Sequence, residues 1–424
     1  MRAEYAYTAV KQYNDNNAHE ITEALMLDDG PSDQEVSPMT YAGDRVIYDA
    51  DGHIMELPTH LRDFADPDIR DDIPLTSYSA SSVTDEEVAV LVKQGGKHSE
   101  AHINRLLSLG DGLIAESKEI QALGAFDGHH RSQAMDMLGF KKQIIFSTLS
   151  AKAPFSTKLD TRVKYGAVRA HTRAMTAFCG DDDRLMGMAC ISLDDPALAV
   201  QELEFALDSG LEGIWVPHRI CGDKSPGHPD FDPFWARLAE SGIPFLIHIG
   251  GSDYHIDPAW FNNGSPLPKD AFDGGENVRA LDYSVLHHAA ERFISAMVLS
   301  GVFERHRQLR GAAVELGATW VPSFLKILDN TVHAFSRVQP ELASMSRKPS
   351  EQLTEQMGFT AFPFEDVGTL IEHSNPDLYM FASDYPHIEG GRDPLGSFDG
   401  YLAAHTQTTK DKFFEANFKR IFSV

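Results

Sequence analysis

The chain has 424 residues, of which 42% are hydrophobic and 24% are charged, a composition typical of a globular protein. This composition excludes a disordered or a collagen-like chain. The 37 basic and 63 acidic residues give a net charge of −26, so we expect neither nucleic acid nor an anionic membrane as a partner.

The cysteine content and the hydropathy pattern bear on the compartment. Cys179, Cys190 and Cys221 form no CxxC pair, which indicates a reducing environment rather than a disulfide framework. No apolar run reaches the roughly 18 residues that a membrane span needs. Residues 1–43 lack the apolar core of a signal peptide. We therefore expect a cytoplasmic protein.

Two unusual segments come first in the chain. Residues 1–43 contain 2 basic and 8 acidic residues, and we predict an acidic arm that packs on the body or on a neighbouring subunit. Residues 46–49 form a first β-rich run. Residues 55–139 begin with loop-forming residues and continue with helical patterns, and we predict that they form a long insertion over the active face. The whole of 44–424 is then one domain.

From residue 140 onward, strand-like and helical runs alternate regularly. With the first run at 46–49, the predicted strands are 46–49, 142–147, 185–193, 213–217, 244–250, 311–316, 358–362 and 378–383. The predicted helices between and after them are 161–178, 195–209, 233–241, 283–308, 319–338, 364–373 and 410–422. Strands that alternate with helices predict a parallel sheet. Eight of them favour an α/β fold of the closed (β/α)8 TIM-barrel type, although a doubly wound open sheet would give a similar pattern.

Residues that can bind a metal ion follow several of these strands. Asp51 and His53 end the first run, and positions two apart on a strand point to one face. His248 ends the fifth run and Asp384 the eighth. In a barrel the active residues lie at the carboxyl ends of the strands, and the first and last strands are neighbours. We therefore predict that these four side chains bind a divalent ion such as Zn²⁺, Mn²⁺ or Fe²⁺.

Three motifs, taken in this order, resemble the amidohydrolase superfamily. They are Asp51-Gly-His53-Ile-Met-Glu, Pro-Phe-Leu-Ile-His248-Ile-Gly-Gly and Phe-Ala-Ser-Asp384-Tyr-Pro-His387. The similar branch includes aminocarboxymuconate semialdehyde decarboxylase and related aromatic-acid decarboxylases. The resemblance implies a (β/α)8 barrel with a metal ion in its mouth, bound by Asp51, His53, His248 and Asp384. It also implies a catalytic histidine at the end of the sixth strand, where this chain has Glu315 instead.

The remaining candidates surround this predicted centre. Glu315 could transfer protons, bind a second metal ion or orient a ligand, and His387 could reach the substrate or that second ion. Glu56 is a further candidate for a second ion. The expectation is one ion per chain, with two as the alternative. The residues that could contact the substrate are Arg219, Arg392 and His171.

These residues support more than one function. The first hypothesis is a metal-dependent hydrolase of a small molecule, in which Asp384 accepts the proton of a metal-activated water. The second is a nonoxidative decarboxylase of an aromatic or unsaturated acid. The third is a dinuclear Fe or Mn oxygenase, and the fourth is a barrel without activity that pairs with an active paralogue. We expect a homo-oligomer or such a pairing.

Overall fold

The computed structural model describes residues 39–78, 81, 83–252, 256–265 and 279–424. Within them, Met39–Val424 forms one compact unit. Most of the predicted arm, residues 1–43, lies outside the described residues, so its packing and the predicted oligomer stay predictions. Among the described helices, none has both the length and the apolar character needed to cross a lipid bilayer.

Parallel strands pair in sequence order around the centre of the molecule. They are β1 (Tyr48–Asp49), β2 (His53–Ile54), β3 (Lys142–Ser147), β4 (Leu185–Cys190), β5 (Gly213–Trp215), β6 (Phe245–His248), β7 (Gly311–Val314), β8 (Met357–Thr360) and β9 (Tyr379–Met380). β1 and β2 both pair with β3, so together they make the first predicted strand. The remaining strands follow in the order β3 to β9. All eight predicted strands are therefore present.

Backbone hydrogen bonds beyond β9 close the sheet into a barrel. The amide of Ala50 donates to the carbonyl of Phe381 at 2.9 Å, and the amide of Asp384 donates to the carbonyl of Asp51 at 2.9 Å. A parallel bridge joins Gly52 to Tyr385. The first and last strands are neighbours, which confirms the (β/α)8 barrel and excludes the open sheet.

The first strand contains a bulge. Tyr48 pairs with Lys142 and His53 pairs with Phe146, so the first strand has one more residue than β3 between these pairs. Tyr48 and Ala50 pack in the barrel interior, and regular alternation would point His53 outward. The extra residue turns His53 inward.

Helices surround the barrel, most of them close to the predicted bounds. The main ones are Gly128–Leu138, Thr161–Cys179, Pro196–Asp208, Asp232–Ser241, His288–Leu299, Val321–Phe335, Val367–His373 and Asn417–Phe422. The predicted helix 283–308 is wrong as one element, because it is divided into Ala280–Val285, His288–Leu299 and Val302–Arg305. Gly301 ends the helix His288–Leu299 before Val302–Arg305 begins, because its φ of 76° lies in the left-handed region.

The predicted insertion, residues 55–139, occupies the chain between β2 and β3. It contains the helices His60–Phe64, Asp85–Lys93, Glu100–Leu107 and Leu113–Glu116. Its last helix, Gly128–Leu138, immediately precedes β3 and packs against the end of the barrel helix Thr161–Cys179, where a Cβ on Gly128 would meet the carbonyl of Phe178. Another part contacts the loop after β9, where the amide of Glu119 donates to the carbonyl of Pro386 at 2.9 Å. Coverage of the whole active face by the insertion stays a prediction.

A buried polar network supports the bulge from outside the barrel. The carboxylate of Asp49 accepts hydrogen bonds from the Gln143 side chain at 2.7 Å and from the Ser383 amide at 2.7 Å. The fully buried guanidinium of Arg131 donates to Gln143 Oε1 at 3.0 Å and to the carbonyl of His53. Buried polar groups are stable only when paired in this way. The network ties the first strand to both of its neighbours.

Gly52→Ala should destabilise this region. An added Cβ would lie 2.6 Å from Gln143 Cδ, so the network must shift. We expect the free energy of unfolding to fall by about 1–3 kcal/mol, as for other overpacked interiors. The matched control is Gly400→Ala on the helix Pro394–Tyr401, where a Cβ meets nothing within 4 Å. That change should stabilise the protein by up to about 1 kcal/mol. Urea unfolding measures both, and equal stability of the Gly52 variant and the native protein would contradict the expectation.

Candidate metal centre

Two of the predicted site residues have left-handed backbone conformations at strand ends. Glu315 follows β7 with a φ of 52°, and Asp384 lies beyond β9 with a φ of 55°. Such values are uncommon outside glycine and cost free energy, so they persist where the surroundings impose them. In both cases the side chain is buried at the carboxyl end of the barrel. Plain strand alternation would not predict where these carboxylates point.

A first group of four side chains converges at the barrel mouth. Asp51, His53, His248 and Glu315 each offer one ligand atom, and these atoms all lie within 4.8 Å of one another. His53 Nε2 lies 3.1 Å from Asp51 Oδ1, and His248 Nε2 lies 3.0 Å from Glu315 Oε2. Three of the predicted metal ligands are therefore together, with Glu315 as the fourth member instead of Asp384.

Asp384 belongs to a second group that overlaps the first. This group contains His53, Glu315, Asp384 and His387, again with ligand atoms within 4.8 Å of one another. Asp384 Oδ1 lies 3.5 Å from His53 Nε2 and 3.1 Å from His387 Nδ1. The rings of His53 and His387 stack with their centroids 4.0 Å apart. His387 is thus at the centre itself and not beneath the following loop.

The ligand atoms of both groups are buried without hydrogen-bond partners in the described part of the chain. They are Asp51 Oδ1, His53 Nε2, His248 Nε2, Glu315 Oε2, Asp384 Oδ1, Asp384 Oδ2 and His387 Nδ1. Buried polar atoms are normally satisfied, so a cluster of unsatisfied ones requires a partner. Nitrogen and carboxylate donors of this kind suit Zn²⁺, Mn²⁺ or Fe²⁺. The donor set fits a divalent metal ion.

The tautomer of His248 agrees with this fit. His248 Nδ1 lies 3.0 Å from the carbonyl oxygen of Ile249, which can only accept, so Nδ1 carries the proton. In the neutral ring, Nε2 then presents a lone pair toward the carboxylates of Asp51 and Glu315. A metal-bound histidine commonly donates its other N–H to a carbonyl in the same way.

Burial shifts the acidity of two of these carboxyl groups. Burial raises the pKa of Asp384 to about 6, although the adjacent His387 opposes the change. Burial also raises the pKa of Glu315 well above its usual range, and the charge of Asp384 adds to this effect. Without a bound cation, one of these groups therefore tends to keep a proton near neutral pH.

The other predicted candidates lie away from both groups. The carboxylate of Glu56 accepts backbone hydrogen bonds from Leu149 and Ser150, which corrects its expected place at a second ion. Arg392 is exposed and pairs with Glu116. His171 is fully buried between the helix Thr161–Cys179 and the barrel strands, with its Nε2 2.9 Å from the hydroxyl oxygen of Ser147. The structure thus brings neither Arg392 nor His171 to the centre.

Arg219 also has a partner of its own. Its guanidinium donates to both carboxylate oxygens of Asp194, at 2.6 and 3.0 Å, and to the carbonyl of Phe155 at 3.2 Å. The pairing fixes the loop after β5. Arg219 nevertheless lines a cavity of about 180 Å³, which lies between that loop and the helix His288–Leu299.

Sequence reasoning missed several residues around this cavity. His218 and Arg292 line it, and Arg292 is exposed at its rim. His218 Nδ1 and Trp215 Nε1 are buried without partners among the described residues. A Cβ on Gly251 would meet both atoms, at 3.2 and 3.0 Å. Only the position of His218, directly after the predicted strand 213–217, could have marked it in the sequence.

Aromatic rings connect this polar pair to the centre. The Trp215 ring lies 5.1 Å from the His248 ring, and the Phe146 ring lies 4.4 Å from it, between centroids. Phe155 packs on the other side of Trp215 at 5.2 Å. The side of the metal centre next to His248 is therefore aromatic. At its edge lie Trp215 Nε1 and His218 Nδ1, which have no hydrogen-bond partner among the described residues.

Comparison with known proteins agrees with this architecture. The family model described as Amidohydrolase matches residues 100–424. The chain belongs to the amidohydrolase family, as the three motifs had indicated. An amidohydrolase from Mycobacterium avium subsp. paratuberculosis has a similar structure, with a TM-score of 0.67, 21% identity, and coverage of 90% of this chain and 98% of that chain.

The similar proteins with a named activity include decarboxylases. A gamma-resorcylate decarboxylase from Rhizobium radiobacter is 24% identical over 271 residues, which are 60% of this chain and 76% of that protein. A 5-carboxyvanillate decarboxylase from Novosphingobium aromaticivorans, in complex with manganese and a nitrobenzoic acid, has a TM-score of 0.58 at 18% identity. The alignment covers 92% of this chain and 99% of that one.

His248→Ala should lower the metal content, because it removes a nitrogen donor from the centre of the first group. We expect the affinity for Mn²⁺ to fall on the order of 100-fold, since even partners behind a ligand are worth 10- to 100-fold. Elemental analysis after dialysis measures the loss. The control is His373→Ala, an exposed histidine at the end of the helix Val367–His373. Full metal content in the His248 variant would remove this residue from the ligand set.

Proposed function

We propose that the protein is a metal-dependent, nonoxidative decarboxylase of an aromatic acid. The observation that carries this proposal is the similarity to gamma-resorcylate decarboxylase over 271 residues, on a barrel whose mouth gathers metal-binding side chains. The comparisons favour this alternative over the hydrolase that the sequence suggested first. They leave the oxygenase alternative untested.

The residues of both groups would hold a divalent ion, and manganese is the ion in the similar 5-carboxyvanillate decarboxylase. Such an ion would orient the substrate carboxylate and an adjacent oxygen and offset their negative charge. The chain supplies the ligand atoms, the burial and the aromatic wall. His248 lies 3.0 Å from Glu315 in the first group, and Asp384 lies 3.1 Å from His387 in the second group.

Asp384 is our candidate for the proton donor. Decarboxylation forms a bond between a proton and the ring carbon and breaks the bond from that carbon to the carboxylate, whose electron pair returns to the ring as CO2 leaves. The carboxyl group of Asp384 lies among the ligand atoms of the second group, from where it can pass a proton to the ring carbon of a bound substrate. Its two oxygens have no hydrogen-bond partner among the described residues, so one can face the substrate.

The substrate ring would lie in the cavity that His218, Arg292 and Phe293 line. Phe293 offers an apolar contact for an aromatic ring, and His218 Nδ1, which has no hydrogen-bond partner among the described residues, can pair with a polar substituent. The cavity of about 180 Å³ leads from His218 to Arg292, whose charge suits an anionic ligand. The chemical class is therefore a small aromatic carboxylate with further hydrogen-bonding groups.

Incubation of the Mn²⁺-loaded protein with aromatic acids tests this activity. The panel is gamma-resorcylate (2,6-dihydroxybenzoate) and 5-carboxyvanillate, the acids in the names of the two similar decarboxylases. At least one should release CO2, and in D2O the product should carry deuterium at the carbon that lost the carboxylate. Asp384→Asn should lower kcat by about 10²- to 10⁴-fold, the usual share of a general acid.

The control for this variant is Asp208→Asn, an exposed residue at the end of the helix Pro196–Asp208, which should keep native turnover. If the protein hydrolyses esters or amides and releases no CO2 from any of the acids, the decarboxylase proposal is wrong and the hydrolase hypothesis is favoured. Full turnover of the Asp384 variant would remove this residue as the proton donor.

Arg292→Met should weaken binding of the acid and leave the chemical step intact. A hydrogen bond to a charged group contributes about 1.5–3 kcal/mol, so KM should rise roughly 10- to 100-fold with little change in kcat. The control is Arg337→Met, an arginine that is exposed beyond the helix Val321–Phe335. Steady-state kinetics separate the two constants, and an unchanged KM would place the substrate outside this cavity.

A further inference from the structure

A third group of metal-binding side chains lies on the protein surface, where the helix His288–Leu299 begins. His287, His288 and Glu291 each offer one ligand atom, and these atoms all lie within 4.8 Å of one another. The group shares no residue with the two groups at the barrel mouth. His288 is exposed, and the other two side chains are half-buried. We propose that these three residues form a separate binding site for a transition-metal ion such as Zn²⁺.

A single helical turn positions the three donors. The amide of Glu291 donates to the carbonyl of His287 at 2.9 Å, so these two side chains, four residues apart, lie on the same face of the helix. The rings of His287 and His288 are nearly perpendicular, at 83°, with their centroids 4.8 Å apart. Atoms that lie about 2.0–2.2 Å from one ion are at most about 4.4 Å apart. Small rotations of the side chains therefore suffice, and the backbone need not move.

Packing against Trp320 holds the His287 ring in place. The two rings are stacked, with an angle of 9° between their planes and 5.6 Å between their centroids. Trp320 is buried, and its Nε1 donates to the carbonyl of Gly317 at 2.8 Å, so the indole is itself fixed. A group that is already held in position loses less conformational entropy when it binds. His287 thus differs from a mobile surface histidine.

The surroundings also suit the charge states that a metal ion needs. Burial lowers the pKa of His287 to about 4, and the adjacent His288 adds to this effect, so the imidazole is neutral at neutral pH and can offer a lone pair. Burial raises the pKa of Glu291, although His288 opposes the change. The ionised carboxylate is therefore poorly solvated, and a bound cation would stabilise it.

The donor set determines which ions can bind. Imidazole nitrogens suit Zn²⁺, Ni²⁺ and Cu²⁺, whereas Mg²⁺ and Ca²⁺ prefer oxygen ligands. Three protein ligands leave a fourth position open for water or a small anion. The ion would lie beside Arg292, which is four residues from His288 on the same helix and lines the cavity near His218. An occupied site would thus add positive charge at the rim of that cavity.

Equilibrium dialysis of the full chain against a series of buffered Zn²⁺ concentrations tests the proposal. The native protein should bind one zinc ion per chain that His287→Gln and Glu291→Gln bind only at concentrations on the order of 100-fold higher, because each variant lacks one ligand. The control is His333→Gln, an exposed histidine on the helix Val321–Phe335, which should keep the native zinc content. Zinc at the barrel mouth contributes equally to all four proteins and cancels in the comparison.

Tryptophan fluorescence with Cu²⁺ as the probe gives a second readout. A paramagnetic ion on His287 would lie close to the stacked Trp320 ring and quench its emission. Quenching at low Cu²⁺ should therefore be stronger in the native protein and the His333 variant than in the His287 and Glu291 variants. Trp215, which lies near the barrel mouth, contributes equally to all four.

Unchanged zinc binding in either the His287 or the Glu291 variant would overturn the proposal. Circular dichroism verifies that each variant is folded. Glu291→Gln keeps the shape of the side chain and the contact between His287 and Trp320, so it tests the site even if the His287 variant unfolds. Neither readout involves CO2 release, and the surface site and the decarboxylase proposal can therefore fail separately.

Discussion

The contact between the two ends of the barrel sheet is the constraint on which the site depends. The amide of Asp384 donates to the carbonyl of Asp51, and the amide of His53 donates to the carbonyl of Tyr385, both at 2.9 Å. These bonds bring carboxylates from opposite ends of the chain to one point. Buried like charges repel, so the unfavourable contact must be held by the rest of the fold. A bound cation would remove that repulsion and stabilise the folded state by linkage.

Much of the barrel could be predicted from the sequence, because strands and helices alternate with clear hydrophobic patterns. Asp51, His53 and His248 were found because metal ligands at the ends of parallel strands leave a local signal. The argument for Asp51 and His53 was nevertheless incomplete. Alternation correctly places the two side chains on one face of the strand. Without the bulge, however, that face would point out of the barrel, and the bulge turns it inward. The local pattern does not show a bulge, which depends on the register with β3.

The remaining differences have long-range causes. Glu315 joins the first group through a left-handed backbone conformation that the sequence does not signal outside glycine. Arg219 has the charge expected of a carboxylate anchor, but Asp194, from another loop, occupies its guanidinium. Arg292 lies on the surface of a helix, where an arginine is common and does not indicate a functional site. It becomes a candidate for substrate binding only because it lines the same cavity as His218 in the folded chain. Each case depends on contacts between segments that are distant in sequence.

The bulge in the first strand separates the packing of the barrel from the construction of its site. Tyr48 and Ala50 follow the alternation of the interior, whereas His53 follows a frame displaced by one residue. Loss of Asp51 would restore regular pleating and leave His53 opposite Phe146, still facing inward, but the mouth would lose one carboxylate. A single extra residue in this strand thus adds a metal-binding side chain to a barrel whose interior packing stays the same.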